Sequence, residues 1–136
     1  MKNPQDLKLR TKRFAIDVIH LVESLPKNDT TKVIGGQLLR SGTSVGANYR
    51  AACRARSQAD FISKITIVEE EADESQFWIE LLVDTNHLRQ TESKKLQDEA
   101  SQLTAIFTAS GKTAKLNRFK NKTFPILILL LTFLLY

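Results

Sequence analysis

Seven positions between Phe61 and Leu82 recur at spacings of four and three without a slip: Phe61, Ile65, Val68, Ala72, Ser75, Ile79 and Leu82. That is the 3.5-residue period of a helix seam in a bundle or coiled coil, sustained for about three heptads. A strand would alternate with period two, so this stretch is a long helix, predicted over residues 57–86. Ile67, Trp78 and Leu81 form a second apolar row beside the seam. A helix with two apolar rows contacts more than one neighbour, which is a demand for further helices or for another subunit.

The rest of the chain supplies such helices. Phe14, Val18, Leu21 and Leu25 recur at four, three and four, predicting a helix over residues 4–25 that Pro26 stops. A second helix starts at Asp29 or Thr30, either able to cap free N–H groups. Its core face is Ile34, Leu38, Ser41, Val45, Tyr49 and Ala52 or Cys53. Gly35, Gly36, Gly42 and Gly46 all fall inside it. Each interior glycine costs about 1 kcal/mol relative to alanine, so close approach of another backbone is expected, or else a break near Gly42. A fourth helix runs from Thr91 or Glu92 to Asn117, with Leu96, Leu103, Ile106 or Phe107, Ser110 and Ala114 on its face. The expected fold is all-α, an antiparallel up-and-down four-helix bundle occupying residues 1–120 as one domain.

Residues 121–136 stand apart as an apolar tail, with Ile126 to Tyr136 nearly all apolar. Eleven helical residues span about 16 Å, half of the roughly 30 Å hydrocarbon core, so a membrane partner is not expected. A segment docked on the bundle or a partner, a membrane-dipping end, and a reading-frame change that replaced a polar tail all fit the abrupt change in composition. The single cysteine and the charged first residues, which lack the apolar core of a signal peptide, point to the cytoplasm.

Charge is segregated along the chain. Residues 1–56 carry eleven Lys/Arg against four Asp/Glu, residues 57–99 carry four against eleven, and residues 100–136 carry five against none. Either neighbouring helices or subunits neutralise one another, or a basic face awaits a polyanion. Lys8, Arg10, Lys12 and Arg13 crowd the first helix; Arg40, Arg50, Arg54 and Arg56 punctuate the second and its end. Clustered arginines bind phosphate bidentately and confer sequence-independent affinity, making these eight residues the candidate nucleic-acid contacts. Arg50 and Arg54 share one helical face at i, i+4 spacing.

Catalytic patterns are weak by comparison. Asp17…His20 and Asp84…His87 have the spacing of di-metal bundles, but such sites need carboxylates from the other helices, and none lies between Thr30 and Arg56. Asp84 also falls nearly opposite its own seam. No metal and no cofactor is expected. Glu69, Glu70, Glu71, Asp73 and Glu74 read as a solvated face or a partner for the basic helices. Cys53, on or beside the core face, reads as a buried structural thiol. Gly42-Thr43-Ser44-Val45-Gly46 lacks the lysine and preceding strand of a phosphate loop.

The run from Gln37 to Arg50, QLLRSGTSVGANYR, resembles the signature of the four-helix-bundle family named after proteins encoded in intervening sequences of 23S ribosomal RNA genes. Ala55 to Phe61 and Glu70 to Leu82 resemble its continuation, and the match spans roughly residues 7–118. The resemblance implies a ring-like homopentamer and kinship with the accessory subunit of diversity-generating retroelements, a basic bundle associated with nucleic acid and a reverse transcriptase. It implies no catalysis. The positions it marks here are Arg40, Ser44, Asn48, Arg50, Glu71, Phe77 and Trp78. Arg40 and Arg50 would meet phosphate or pair with Glu71, Ser44 and Asn48 would bridge helices, and Phe77 and Trp78 would pack, including between subunits. The functional expectation is a non-enzymatic, oligomeric bundle that binds nucleic acid, structured RNA foremost. The alternative is a protein-interaction scaffold whose basic and acidic helices pair across subunits.

Overall fold

The short polar turns, each only a few residues long, force consecutive helices to pack antiparallel. In a computed structural model, which describes the backbone of residues 4–134 and the side chains of residues 6–122, four helices follow in order. They are α1 (Pro4–Ser24), α2 (Asp29–Ala52), α3 (Gln58–Asp84) and α4 (Gln90–Leu134). α1 packs on α2, α2 on α3 and α3 on α4, while α1 and α4 touch only lightly. The expected all-α bundle is therefore what forms.

Caps set the helix starts. Asn28, rather than Asp29 or Thr30, caps α2: its Oδ1 accepts from the Thr31 N–H at 3.0 Å, and Thr31 Oγ1 accepts from the Asn28 N–H at 3.2 Å. This reciprocal box satisfies two N–H groups that the first helical turn would leave open. Ser57 caps α3 through the Asp60 N–H, and the Asp60 carboxylate accepts from the Arg56 N–H, both at 3.0 Å. Between α3 and α4 the chain reverses through Asn86 at φ 60°, a left-handed conformation that asparagine tolerates.

The core follows the predicted seams closely. Ile65, Val68, Ala72, Ser75, Ile79 and Leu82 of α3 are buried, as are Phe14 and Val18 of α1 and Leu38, Ser41, Val45 and Tyr49 of α2. On α4 the buried member of the Ile106/Phe107 pair is Phe107, whose ring lies 5.2 Å from that of Tyr49. The buried face of α4 then continues to Gly111 rather than Ser110, a step of four instead of three. Phe61 and Ile34, expected on the core faces, are only half-buried, because the adjacent residues Ile62 and Gly35 take the buried positions at those levels. α3 packs against both α2 and α4, but its second apolar row stays at the surface of the bundle: Ile67 is exposed and Trp78 and Leu81 are only half-buried.

Glycine does in α2 what its cost demands. The helix is unbroken through Gly42, and a Cβ there would sit 2.7 Å from Val18 Cγ2. At Gly46 it would sit 3.3 Å from the backbone oxygen of Thr11. These two positions let α1 lie close against α2. Gly36 is different, for nothing lies within 4 Å of an added Cβ. Across the α2–α3 interface, the buried Ser75 hydroxyl donates to Ser41 Oγ at 3.0 Å.

α4 is longer than expected. Instead of ending near Asn117 it continues as one helix through Pro125 to Leu134. No described helix is long and apolar enough to cross a membrane.

Candidate nucleic-acid interface

The close approach of α1 to α2 shapes a groove of about 600 Å³ on the outer side of the pair. Its floor is made of small residues, Ala15, Thr43, Gly46 and Ala47, and its walls carry Lys8, Lys12 and Arg50, with Leu9 at the rim. Lys8 and Lys12 are one helical turn apart on α1, and Thr43, Ala47 and Arg50 lie on one face of α2 at i, i+4 and i+7. Because Gly46 has no side chain, the Thr11 backbone seats against it, and cations from two helices face one trough. Lys12 and Arg50 are exposed and Lys8 half-buried. Three of the eight candidate phosphate contacts are thus gathered in one place.

The other five go elsewhere. Arg10 turns toward α4, where its Nε and Nη2 donate to the two carboxylate oxygens of Glu99 at 2.6 and 2.9 Å; Nη2 also donates to Gln102 at 2.8 Å. Glu99 raises the Arg10 pKa through that hydrogen bond. Arg10 is therefore committed to the thin α1–α4 seam, which Lys95 and Asp17 also span at 3.9 Å. Arg13 is exposed but does not line the groove. Arg40 lies near Glu71 of α3 and works against the burial that raises that carboxyl's pKa. Arg54 and Arg56 fall in the turn after α2, because the helix ends at Ala52. The expected continuous face from Arg50 to Arg54 is therefore interrupted by a change of backbone direction.

The residues expected to bridge helices behave differently. Asn48 Nδ2 donates to the Ser44 carbonyl of its own helix at 2.9 Å, and the α2–α3 bridge is instead Ser41–Ser75. Phe77 is 51% exposed and meets Trp78 edge-on at 4.9 Å, while Trp78 Nε1 donates to Glu74 at 2.9 Å. Glu71 is pushed up chiefly by burial, with Glu74 and Glu70 adding to the rise. Cys53 is exposed, not buried: it follows the last residue of α2, where the chain leaves the core. Among the described residues no group of three His, Cys, Asp or Glu side chains is placed to hold a metal ion.

Leu9, Ala15 and Ala47 were not marked as functional by the sequence. The only signal for them is positional, as neighbours of Lys8, Lys12 and Arg50 on faces whose pairing depends on how α1 and α2 dock.

Comparison with known proteins adds a family. The sequence pattern of the 23S rRNA-intervening sequence proteins matches residues 5–109. A crystal structure of a protein of unknown function from the S23 ribosomal protein family of Bacteroides thetaiotaomicron is similar at TM-score 0.73. It shares 33% identity and covers 78% of this chain and 98% of that one. No curated protein matches.

Proposed function

The chain belongs to the 23S rRNA-intervening sequence protein family, and from that premise we propose that it binds nucleic acid without catalysis, structured RNA foremost, through the α1–α2 groove. The convergence of Lys8, Lys12 and Arg50 on one trough carries this reading. Two lysines supply point charges and the arginine a planar fork, the pair of donor types that grips phosphate oxygens. The small-residue floor lets a sugar-phosphate strand approach the backbone closely. Nothing in the groove discriminates one base from another, so the affinity would be largely independent of sequence.

The test is a filter-binding series with a structured RNA hairpin between about 50 and 200 mM salt. Three phosphate contacts per groove give an expected slope of about −2 to −3 in log affinity against log salt. Lys12→Glu with Arg50→Glu should weaken binding at least about tenfold and flatten that slope. Affinity that is undetectable at low salt, or indifferent to salt, refutes the reading.

A second reading, a self-associating scaffold, is favoured by Phe77, a half-exposed aromatic beside the acidic residues Asp73 and Glu74. In that case Phe77→Ala or Trp78→Ala dissolves an oligomer, a pentamer on the family resemblance, and leaves RNA behaviour unchanged. Light scattering on both variants decides it: an unaltered particle mass removes the support.

A further inference from the structure

The end of α4 outruns the bundle. α4 has 45 residues, whereas its antiparallel neighbour α3 has 27. The two are joined by a hydrogen bond from the side chain of Gln58, the first residue of α3, to the Ala114 carbonyl at 3.0 Å. At this same end of the bundle α1 begins, at Pro4, and α2 finishes, at Ala52. The pairing of Glu69 with Thr108 and of Ile65 with Gly111 sets the register that brings the start of α3 level with about residue 118, so α4 continues roughly 25 Å past the level where its neighbours stop. Leu116 is already 62% exposed.

Along that projection the sequence changes in two steps. Residues 112–122 carry five basic residues and no acidic one. Residues 126–134 then read ILILLLTFL. A helix of that composition is apolar on every side, whatever its rotation. A helix that docks in a protein groove buries one face and keeps a polar one outward. All-round apolarity suits a medium that surrounds the helix, and hydrocarbon does so. The order along the axis, basic and then apolar, is the order of anionic headgroups and then acyl chains. Residues 126–134 span about 14 Å, close to half of the roughly 30 Å hydrocarbon core. Pro125 lacks an N–H and cannot donate to Asn121, but that carbonyl falls in the basic segment, at headgroup level, where water reaches it. The length of the apolar run gave no reason to expect a membrane partner; its place on a projecting helix does.

We propose that the projecting end of α4 inserts its apolar stretch into one leaflet of an anionic lipid bilayer, with Lys115, Arg118 and Lys122 at the headgroups. Co-sedimentation of the full chain with vesicles tests this, using phosphatidylcholine alone or mixed with phosphatidylglycerol. The protein should sediment with the anionic vesicles. Leu127→Asp with Leu130→Asp should abolish sedimentation while circular dichroism still reports the bundle. Lys115→Glu with Arg118→Glu should weaken it by about fivefold or more per residue. The proposal is overturned if the unaltered chain stays in the supernatant. It is equally overturned if the aspartate variant still sediments, which would assign lipid affinity to the α1–α2 groove. A fall in particle mass on making the aspartate variant, in lipid-free buffer, would also overturn it, by showing that a second copy covers the segment.

Discussion

Replacing Gly42 and Gly36 by alanine, one at a time, separates the two things glycine can do in α2. Both sit inside an α-helix, so each substitution should gain about 1 kcal/mol from helix propensity alone. At Gly36 nothing lies within 4 Å of the new methyl, and that gain should appear in full. At Gly42 the methyl would meet Val18 Cγ2 at 2.7 Å and Cγ1 at 2.8 Å. Val18 is fully buried and β-branched, so it has essentially one rotamer in its helix and cannot swing aside. The remaining response is to push α1 away from α2, an overpacking cost of about 1–3 kcal/mol. Net, Gly36→Ala should stabilise by about 1 kcal/mol and Gly42→Ala should destabilise by up to about 2 kcal/mol. Urea unfolding followed by helical circular dichroism, at fixed protein concentration, should raise the Gly36→Ala midpoint by about half a molar and lower the Gly42→Ala midpoint by up to about one molar. The pairing with Val18 gives a sharper check. Val18→Ala alone should cost about 2 kcal/mol, but combined with Gly42→Ala the total should fall well below the sum, because the new methyl occupies the vacated space. If Gly42→Ala stabilises as Gly36→Ala does, the close approach of α1 to α2 is refuted, and with it the origin of the groove.

Three further outcomes are expected. Arg10→Ala should destabilise by about 1–2 kcal/mol, measured by urea unfolding, because it removes the bidentate pair with Glu99 from the thin α1–α4 seam; Arg10→Lys should recover only part of that. Glu71 has a raised pKa in the folded state, so the folded chain binds more protons than the unfolded one just above the ordinary glutamate range. Stability from this group therefore falls as pH rises through that window, and Glu71→Gln should stabilise at pH 7 but give no gain near about pH 4, which unfolding at the two pH values checks. Cys53, exposed at the end of α2 and hydrogen-bonded to Tyr49, should react with a thiol reagent in the native protein at a rate within about tenfold of that after unfolding; protection by several orders of magnitude would return it to the core.

Much of the fold was legible because helical periodicity is local. The seam from Phe61 to Leu82 names its buried residues by spacing alone, and all but Phe61 are buried. The misreadings sit where local pattern stops applying. Asn28 took the α2 cap because its side chain and that of Thr31 could serve each other's N–H groups, a reciprocity that a single-residue reading of Asp29 or Thr30 overlooks. Cys53 and Arg54 were carried along the face of α2 by a periodicity that ends at Ala52. The fourth helix was expected to end near Asn117, yet it continues through Pro125 to Leu134.

The candidate groove shows the division most clearly. The basic residues, the glycines and their helical faces were set by residue order, since the side chains that share a helical face depend only on spacing. Which face of α1 meets which face of α2 depends on contacts between residues far apart in the chain. Thr11 against Gly46 and Val18 against Gly42 decide that docking. The same docking brings Lys8 and Lys12 opposite Arg50, while the reach from α1 to Glu99 takes Arg10 out of the set. Four basic residues on one helix are equivalent in sequence; they become different only when a second helix lies beside some of them and a carboxylate beside another.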